Sequence, residues 1–419
     1  MTIPWYLVTR LGVGVETDAF FASTALPQLT FLVVSFSVSN VLVPLLATAS
    51  EMEFRRDSWT FFIGVSGVLF VLAVPFFVLT PYWVSLLVPG FSSNGKNLTV
   101  TLTRIQLLSM IGNGGVVVLW SAYFARQKFI WAELSSVLAN AASLVLLISL
   151  LPMIGVYAAA WASAFNLGLK IALLIPLLGR LVCPNPRSAN MREAWRRIKP
   201  FIALQTYSRI DPIVDRLLTS MTVAGSLSLL YISQQIYSVA TIVLNKAMIT
   251  PVVPALAIAA KAANVDTLKR AYRERLIWVA AIGFLTLVGL LALGEPLLHL
   301  MIGRGGITAG NVRLLWWMLI ILLGSFVGGA LGQVTSASFF AIGNTKTPTT
   351  IFILTFTIYL PVKIVMFLHY GLLGLAGAIS IHLVSNFLIQ LVTLERTLKQ
   401  RYFVYDKSFE PSAPIKEPS

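Results

Sequence analysis

TDAFFASTALPQLTFLVVSFSVSNVLVPLLA, residues Thr17 to Ala47, is a run of mostly apolar and small side chains, opened by an acid at Asp18 and closed by Pro44. A bilayer core about 30 Å thick needs about 20 residues of helix, so this stretch crosses with a turn or two to spare. It predicts a membrane helix rather than a core helix. A similar pattern returns 210 positions later in SLLYISQQIYSVATIVLNKAMITPVVPALA, Ser228 to Ala257. Without gaps the two match at Ser23/Ser233, Val33/Val243, Val43/Val253, Pro44/Pro254, Leu46/Leu256 and Ala47/Ala257. The shared Val-Pro-x-Leu-Ala ending, at the same depth in both, carries most of the weight.

Composition points the same way. With 57% hydrophobic and 11% charged residues over 419 positions, no soluble layout hides this much apolar surface, and the chain reads as an all-α polytopic membrane protein. The net charge of +15 could suggest nucleic acid, but the basic residues sit in short gaps between apolar runs, so no nucleic-acid partner is expected. A single cysteine, Cys183, excludes an intramolecular disulfide and a cysteine metal cluster.

The first eleven residues read as the last half of a helix, short of a crossing and unlike a secretory signal. Spans are then predicted over 17–47, 59–80, 104–125, 129–151 and 156–178. The charged segment EMEFRRDS (51–58) and the polar segment around Pro89-Gly90 and Asn94-Gly95-Lys96 read as loops. Gly179 to Pro200 is the most basic stretch, with Arg180, Arg187, Arg192, Arg196, Arg197 and Lys199, and marks a boundary between halves. Further spans follow near 201–221, 228–259, 276–298, 313–340, 349–369 and 372–394. The organisation expected is an N-terminal helical lobe (1–178), a cytoplasmic linker (179–200), a C-terminal helical lobe (201–400) and a disordered cytoplasmic tail (401–419).

Loops on one side hold most of the 31 basic residues, and the other side holds only Arg10, Lys96, Arg104, Arg304 and Arg313, so linker and tail are placed in the cytoplasm. Ile154-Gly155-Val156 resembles Leu373-Gly374-Leu375, and Ser121 to Ala125 resembles Ser336 to Ala341. An even number of spans per half makes the repeat parallel: two six-helix lobes around a central cavity, the first helix truncated.

Ionisable groups inside spans are costly and usually face a bundle interior or a wet cavity. The span after the linker holds Arg209, Asp211, Asp215 and Arg216. At about 100° per residue the two arginines lie within about 20° of each other and the aspartates within about 40°, with Pro212 expected to kink the helix between them. The stripes read either as a cavity wall meeting an anionic head group or relaying protons, or as charges paired by neighbouring helices. Lys246 is an isolated cation that could attract phosphate or snorkel, and Lys363 and Lys170 are weaker candidates. Asp18 could cap or favour the N-terminus of its own helix, or couple an ion. The scattered His299, His369 and His382 and the lack of a nucleotide loop give no enzyme signature and call for no cofactor.

Gly14, Asp18, Ala19, Phe20, Phe21, Leu26, Pro27 and Pro44 resemble the second helix of the MurJ or MviN family of lipid II flippases. Gly225 to Tyr231 is similar to the start of that family's eighth helix, Val214 to Ser220 to the stretch before it, and Gly343-Asn344-Thr345-Lys346-Thr347-Pro348 to a cytoplasmic loop. The motifs are shared in part with polysaccharide and multidrug exporters. The resemblance implies a flippase of the bacterial inner membrane that moves an undecaprenyl-pyrophosphate-linked saccharide, lipid II or a related surface-polysaccharide precursor, by alternating access. Membrane lipids and polysaccharide assembly enzymes are the partners implied. Paired arginines of the family's second helix fall at Phe31 and Leu32 here, and its Asp-Arg pair in the eighth at Gln234-Gln235. Arg209, Arg216, Lys246 and Gln235 are therefore the expected substrate contacts, and Asp211, Asp215 and Asp18 the expected ion-coupling groups. A multidrug or small-cation antiporter on the same fold, with Asp211 and Asp215 lining the cavity, and a membrane glycosyltransferase are the alternatives.

Overall fold

A computed structural model describes residues 2–185, 189–249, 256, 258, 265–302 and 307–407. Among them there are helices and turns but no strand. In order these are α1 (Thr2–Leu11), α2 (Val15–Ser23), α3 (Ala25–Ala47), α4 (Glu51–Val78), α5 (Thr80–Leu87), α6 (Ser93–Ala125), α7 (Phe129–Ile154) and α8 (Tyr157–Leu174). After the basic stretch come α9 (Ala189–Ser208), α10 (Asp211–Ser220), α11 (Ser226–Leu244), α12 (Val265–Gly289), α13 (Glu295–Ile302), α14 (Ala309–Ala341) and α15 (Lys346–Lys407). The last is two helices joined at Gly371, whose φ of 57° breaks the run.

Nine helical stretches among the described residues are long and apolar enough to cross a membrane, and the one through α15 covers two of the predicted spans. Val15–Ala47 is one of the nine, with only a slight step at Thr24 between α2 and α3. The predicted span 201–221 differs: α9 starts inside the basic stretch, ends at Ser208, and α10 begins at Asp211 with Pro212 in its first turn. Proline has no N–H and crowds the preceding turn, so the helix stops and restarts there. Two predicted loops are helix instead. Residues 51–58 form the start of α4, because Ser50 and Glu53 cap each other reciprocally. Asn94 to Arg104 belong to α6, capped by the Ser92 hydroxyl accepting the Gly95 N–H at 3.2 Å. Helix also extends through Lys407 into the predicted tail; residues 408–419, like the second Val-Pro-x-Leu-Ala except Leu256, lie outside the described residues.

The repeat is sharper in the backbone than in the sequence. α6 and α14 are both 33 residues long and start 216 positions apart, at Ser93 and Ala309. At the same spacing, Gln127 (φ 55°) pairs with Gly343 (φ 78°) after these helices, and Gly155 (φ 58°) with Gly371 (φ 57°) at the next turn. The partner of Gly155 is thus Gly371 rather than Gly374: the left-handed turn, not the neighbouring letters, marks the register.

The chain divides into two compact units, Met1–Ile232 with Leu300–Asn311, and Ser233–His299 with Val312–Ser419. In the first, Val41 and Leu42 of α3, Phe54 and Phe61 of α4, Val117 and Val118 of α6, and Ala194 and Ile198 of α9 form one buried cluster. α9 is therefore part of this core. The segment leading into it is fastened to α4: Trp59 Nε1 donates to Arg180 O at 3.2 Å, Asn185 N to Thr60 Oγ1 at 3.1 Å, and Asn190 Nδ2 to Asp57 Oδ2 at 2.6 Å. In the second unit, Leu268 and Tyr272 of α12 pack with Val334 and Phe339 of α14 and Leu394 and Leu398 of α15. Outward faces such as Phe70 and Val71, or Phe284 and Leu285, are exposed apolar surface of the kind lipid covers.

Candidate functional site

α2 does not need Asp18 as a cap. Its N-terminus is closed at Gly14, where Thr17 Oγ1 accepts the Gly14 N–H and returns a hydrogen bond to Gly14 O, both at 3.0 Å. One residue on, Asp18 is buried and reaches a different helix. Oδ2 accepts the Gly225 N–H at 2.6 Å, and Oδ1 accepts the Ser228 N–H at 2.8 Å and the Ser228 hydroxyl at 2.5 Å. These donors open α11, where a helix leaves N–H groups without intrahelical partners and presents a positive dipole end. The expectation of a cap on its own helix is corrected: Asp18 caps α11. Gly225 makes the approach possible, with φ at 96° and no room for a Cβ beside Val13.

Arg216 completes the junction from α10. Its guanidinium donates to Phe21 O at 3.3 Å, Gln28 Oε1 at 2.9 Å, Thr24 Oγ1 at 3.5 Å and Pro212 O at 3.0 Å. Four acceptors on α2, α3 and α10 hold this buried cation, and the adjacent buried Asp215 stabilises it electrostatically. Phe21 stacks on Tyr231 with centroids 4.3 Å apart, and Gly90, before α6, lies too close to Ser220 O to admit a side chain.

The other predicted residues stand apart from this junction. Arg209 falls in the turn between α9 and α10, off the wheel that placed it on one face with Arg216, and its buried Nε makes no hydrogen bond among the described residues. Asp211 is the half-buried first residue of α10. Gln235, half-buried on α11, and Lys246, exposed in the π-helical turn Asn245–Ile249, belong to the second unit. Sequence reasoning missed Thr24, Gln28, Gly225 and Ser228, although Gly225-Ser226 before an apolar run is a helix-start signal.

The junction is a carboxylate accepting three hydrogen bonds and a guanidinium donating four, tying α2–α3 to the α10–α11 corner. A family model described as Lipid II flippase MurJ matches residues 7–409, nearly the whole chain. The chain belongs to the MurJ family.

MurJ relatives confirm the extent of the match. A probable lipid II flippase MurJ of Thermotoga maritima is 23% identical over 414 residues, covering 95% of this chain and 82% of the relative. One of Vibrio cholerae is 23% identical over 408 residues, 90% of this chain and 76% of the relative. Among solved structures, a lipid II flippase MurJ in an inward closed conformation is similar with a TM-score of 0.77 at 20% identity, over 98% of this chain and 91% of that one. An inward-facing multidrug resistance transporter of the MATE family also gives 0.77, at 16% identity, over 96% and 94%. At these identities the structural likeness concerns the fold. As a MurJ family member the chain is a multi-pass membrane protein of a transporter class.

Proposed function

We propose that this protein flips lipid II across the bacterial inner membrane. The observation that carries the reading is the family match over residues 7–409 of a chain whose helices are built to cross a bilayer. The substrate, an undecaprenyl-pyrophosphate-linked saccharide, presents a dianionic group to a chain with few intramembrane cations. The protein would alternate between states open to either side of the membrane, delivering the precursor from cytoplasmic enzymes that assemble it to those that use it outside.

In this reading the Asp18 and Arg216 junction fastens helices within the first compact unit. Positive-inside orientation places it toward the outer face. Both groups are occupied in holding it together, so neither is free to meet substrate. Arg209 and Lys246, with Gln235, are then the pyrophosphate contacts, standing in for the cations that Phe31, Leu32 and Gln234 do not supply; Asp211 and Asp215 remain the ion-coupling candidates.

The test is rescue of growth in bacteria depleted of their own lipid II flippase. Rescue by the wild type, lost in Arg209→Ala combined with Lys246→Ala, is the expected result. Failure of the wild type with the protein present in the membrane overturns lipid II as the substrate.

A further inference from the structure

The 216-residue repeat superimposes one more set of positions. Asn166 of α8 donates to Asn140 Oδ1 at 2.9 Å and to Ser143 Oγ at 2.8 Å, a neutral polar knot between α7 and α8. Adding 216 gives His382, Phe356 and Tyr359, on the two arms of α15. There the imidazole of His382 stacks on Tyr359 with centroids 4.5 Å apart and planes 18° apart, and packs edge-on to Phe356 at 5.9 Å. One turn from Tyr359, Lys363 Nζ lies 5.2 Å from the same ring centroid, and the side chain is wholly buried. The second half therefore holds two basic groups on one aromatic ring where the first half holds two amides and a hydroxyl.

Lys363 is eight residues from the turn at Gly371 and His382 eleven, which puts both about 12 to 16 Å into the membrane along their helices. Burying ionisable groups at that depth is costly and marks ion or proton pathways more often than packing. The His382 ring bonds the backbone of Thr355, while its Nδ1 is buried and has no hydrogen bond among the described residues. A neutral imidazole that donates through one nitrogen keeps a lone pair on the other, here an open base beside an ammonium.

The remaining ionisable groups on the surrounding elements of this unit are placed elsewhere. α14 carries only Arg313, exposed near its start, and Tyr237 of α11 donates its hydroxyl to Leu319 O at 2.5 Å. On α15, Lys346 and His369 are exposed, and Glu395 is held by Arg273 at 2.8 Å and by Tyr272. On α12, Asp266, Lys269, Arg270, Glu274 and Arg275 sit in its first three turns, at the end where Tyr272 meets Glu395.

We propose that Lys363 and His382, bridged by Tyr359, form an intramembrane proton-binding site whose occupancy is coupled to transport. A proton taken up from water adds to the His382 Nδ1 lone pair and leaves by the same atom; no other bond changes. Because two cations on one ring repel, the charge on Lys363 sets how readily His382 accepts it. The link to transport rests on the flippase reading; the proton site does not.

The experiment is NMR of histidine-labelled protein in nanodiscs, with the exposed His299 and His369 as internal references among three histidines. A titrating His382 is expected, and Lys363→Met makes its ring easier to protonate, moving the midpoint up by about one pH unit. Lys363→Arg, which keeps the charge, leaves it near the wild-type value and controls for altered packing. Equal midpoints in the Met and Arg variants, or a His382 that does not titrate between about pH 4 and 9, overturn the site. In a second arm, lipid II flipping in proteoliposomes is read at two pH values for wild type and His382→Gln. A flattened pH response in the variant supports coupling, and an unchanged one overturns it. A wild type that moves no lipid II overturns the flippase reading while leaving the titration result standing.

Discussion

Asp18 and Ser228 are joined by two hydrogen bonds, from the backbone N–H at 2.8 Å and the hydroxyl at 2.5 Å, although they are 210 positions apart in the chain. Only the second belongs to the serine side chain. Ser228→Ala is therefore expected to cost about 1 kcal/mol, and Asp18→Ala, which strands two buried N–H groups as well, about 2 to 4 kcal/mol. Asp18→Asn should fall between them, because the amide keeps one acceptor but points a donor at another donor. Thermal unfolding of the purified protein in detergent gives the order; Ser228→Ala costing more than Asp18→Ala would refute it.

Arg216 is held by carbonyl and side-chain oxygens of α2, α3 and α10, so geometry matters as much as charge. Arg216→Lys keeps the charge but loses the fork that reaches several acceptors, and is expected to destabilise by about 2 kcal/mol or more. Gln28→Ala removes one acceptor and should cost about 1 kcal/mol. A lysine variant as stable as wild type would show that the fork is dispensable.

Glycine substitutions separate crowding from backbone strain. Gly90→Ala is expected to be poorly tolerated, since its Cβ would run into Ser220 O, although no unusual dihedral is involved. Gly343 has a positive φ but open space around it, and its repeat partner Gln127 holds the same conformation with a side chain. Gly343→Asn should therefore cost only about 1 kcal/mol or less. Expression and unfolding of the two variants check the contrast, which fails if Gly343→Asn is the worse.

Glu193 on α9 accepts from Arg197 at 2.7 Å and from Arg196 at 2.8 Å, and these hydrogen bonds hold its carboxyl below the ordinary glutamate value of 4.5. With the folded value depressed, the pairing is complete above the unfolded value and is lost as pH falls through the folded one. Carboxyl NMR of the labelled protein should place Glu193 below the ordinary value in wild type and return it upward in Arg197→Gln. An unchanged midpoint in that variant would remove Arg197 as the cause.

The apolar spans were legible because hydropathy is summed over about 20 residues and tolerates local errors. Their ends were not: the charged start of α4 and the polar start of α6 look like loops until the Ser50 and Ser92 caps are seen to begin helices there. Pro212 gave the break in the span after the linker, yet the wheel drawn across it misplaced Arg209. The junction was only half legible. Asp18 and Arg216 stood out as ionisable letters in apolar text, but most of what they touch is main chain, at Gly225, Ser228, Phe21 and Pro212, and backbone groups leave no mark in a sequence. Lys363 and His382 are nineteen positions apart with a turn between them, so only folding the two arms of α15 together makes them neighbours.

The contacts of Arg180, Asn185 and Asn190 with α4 bear on where the protein can flex. A connector sewn down at three points has no slack to pay out, so the basic stretch travels with the first half as cargo, and α9, buried at Ala194 and Ile198, goes with it. At Arg209 and Ile210, just ahead of Pro212, the α9 ladder gives way to bonds three residues back, from Arg209 N to Thr206 O at 3.2 Å and from Ile210 N to Tyr207 O at 3.4 Å. The break thus sits inside what reads as a membrane span yet within the first compact unit, so Arg209 is carried with that body rather than on a free joint.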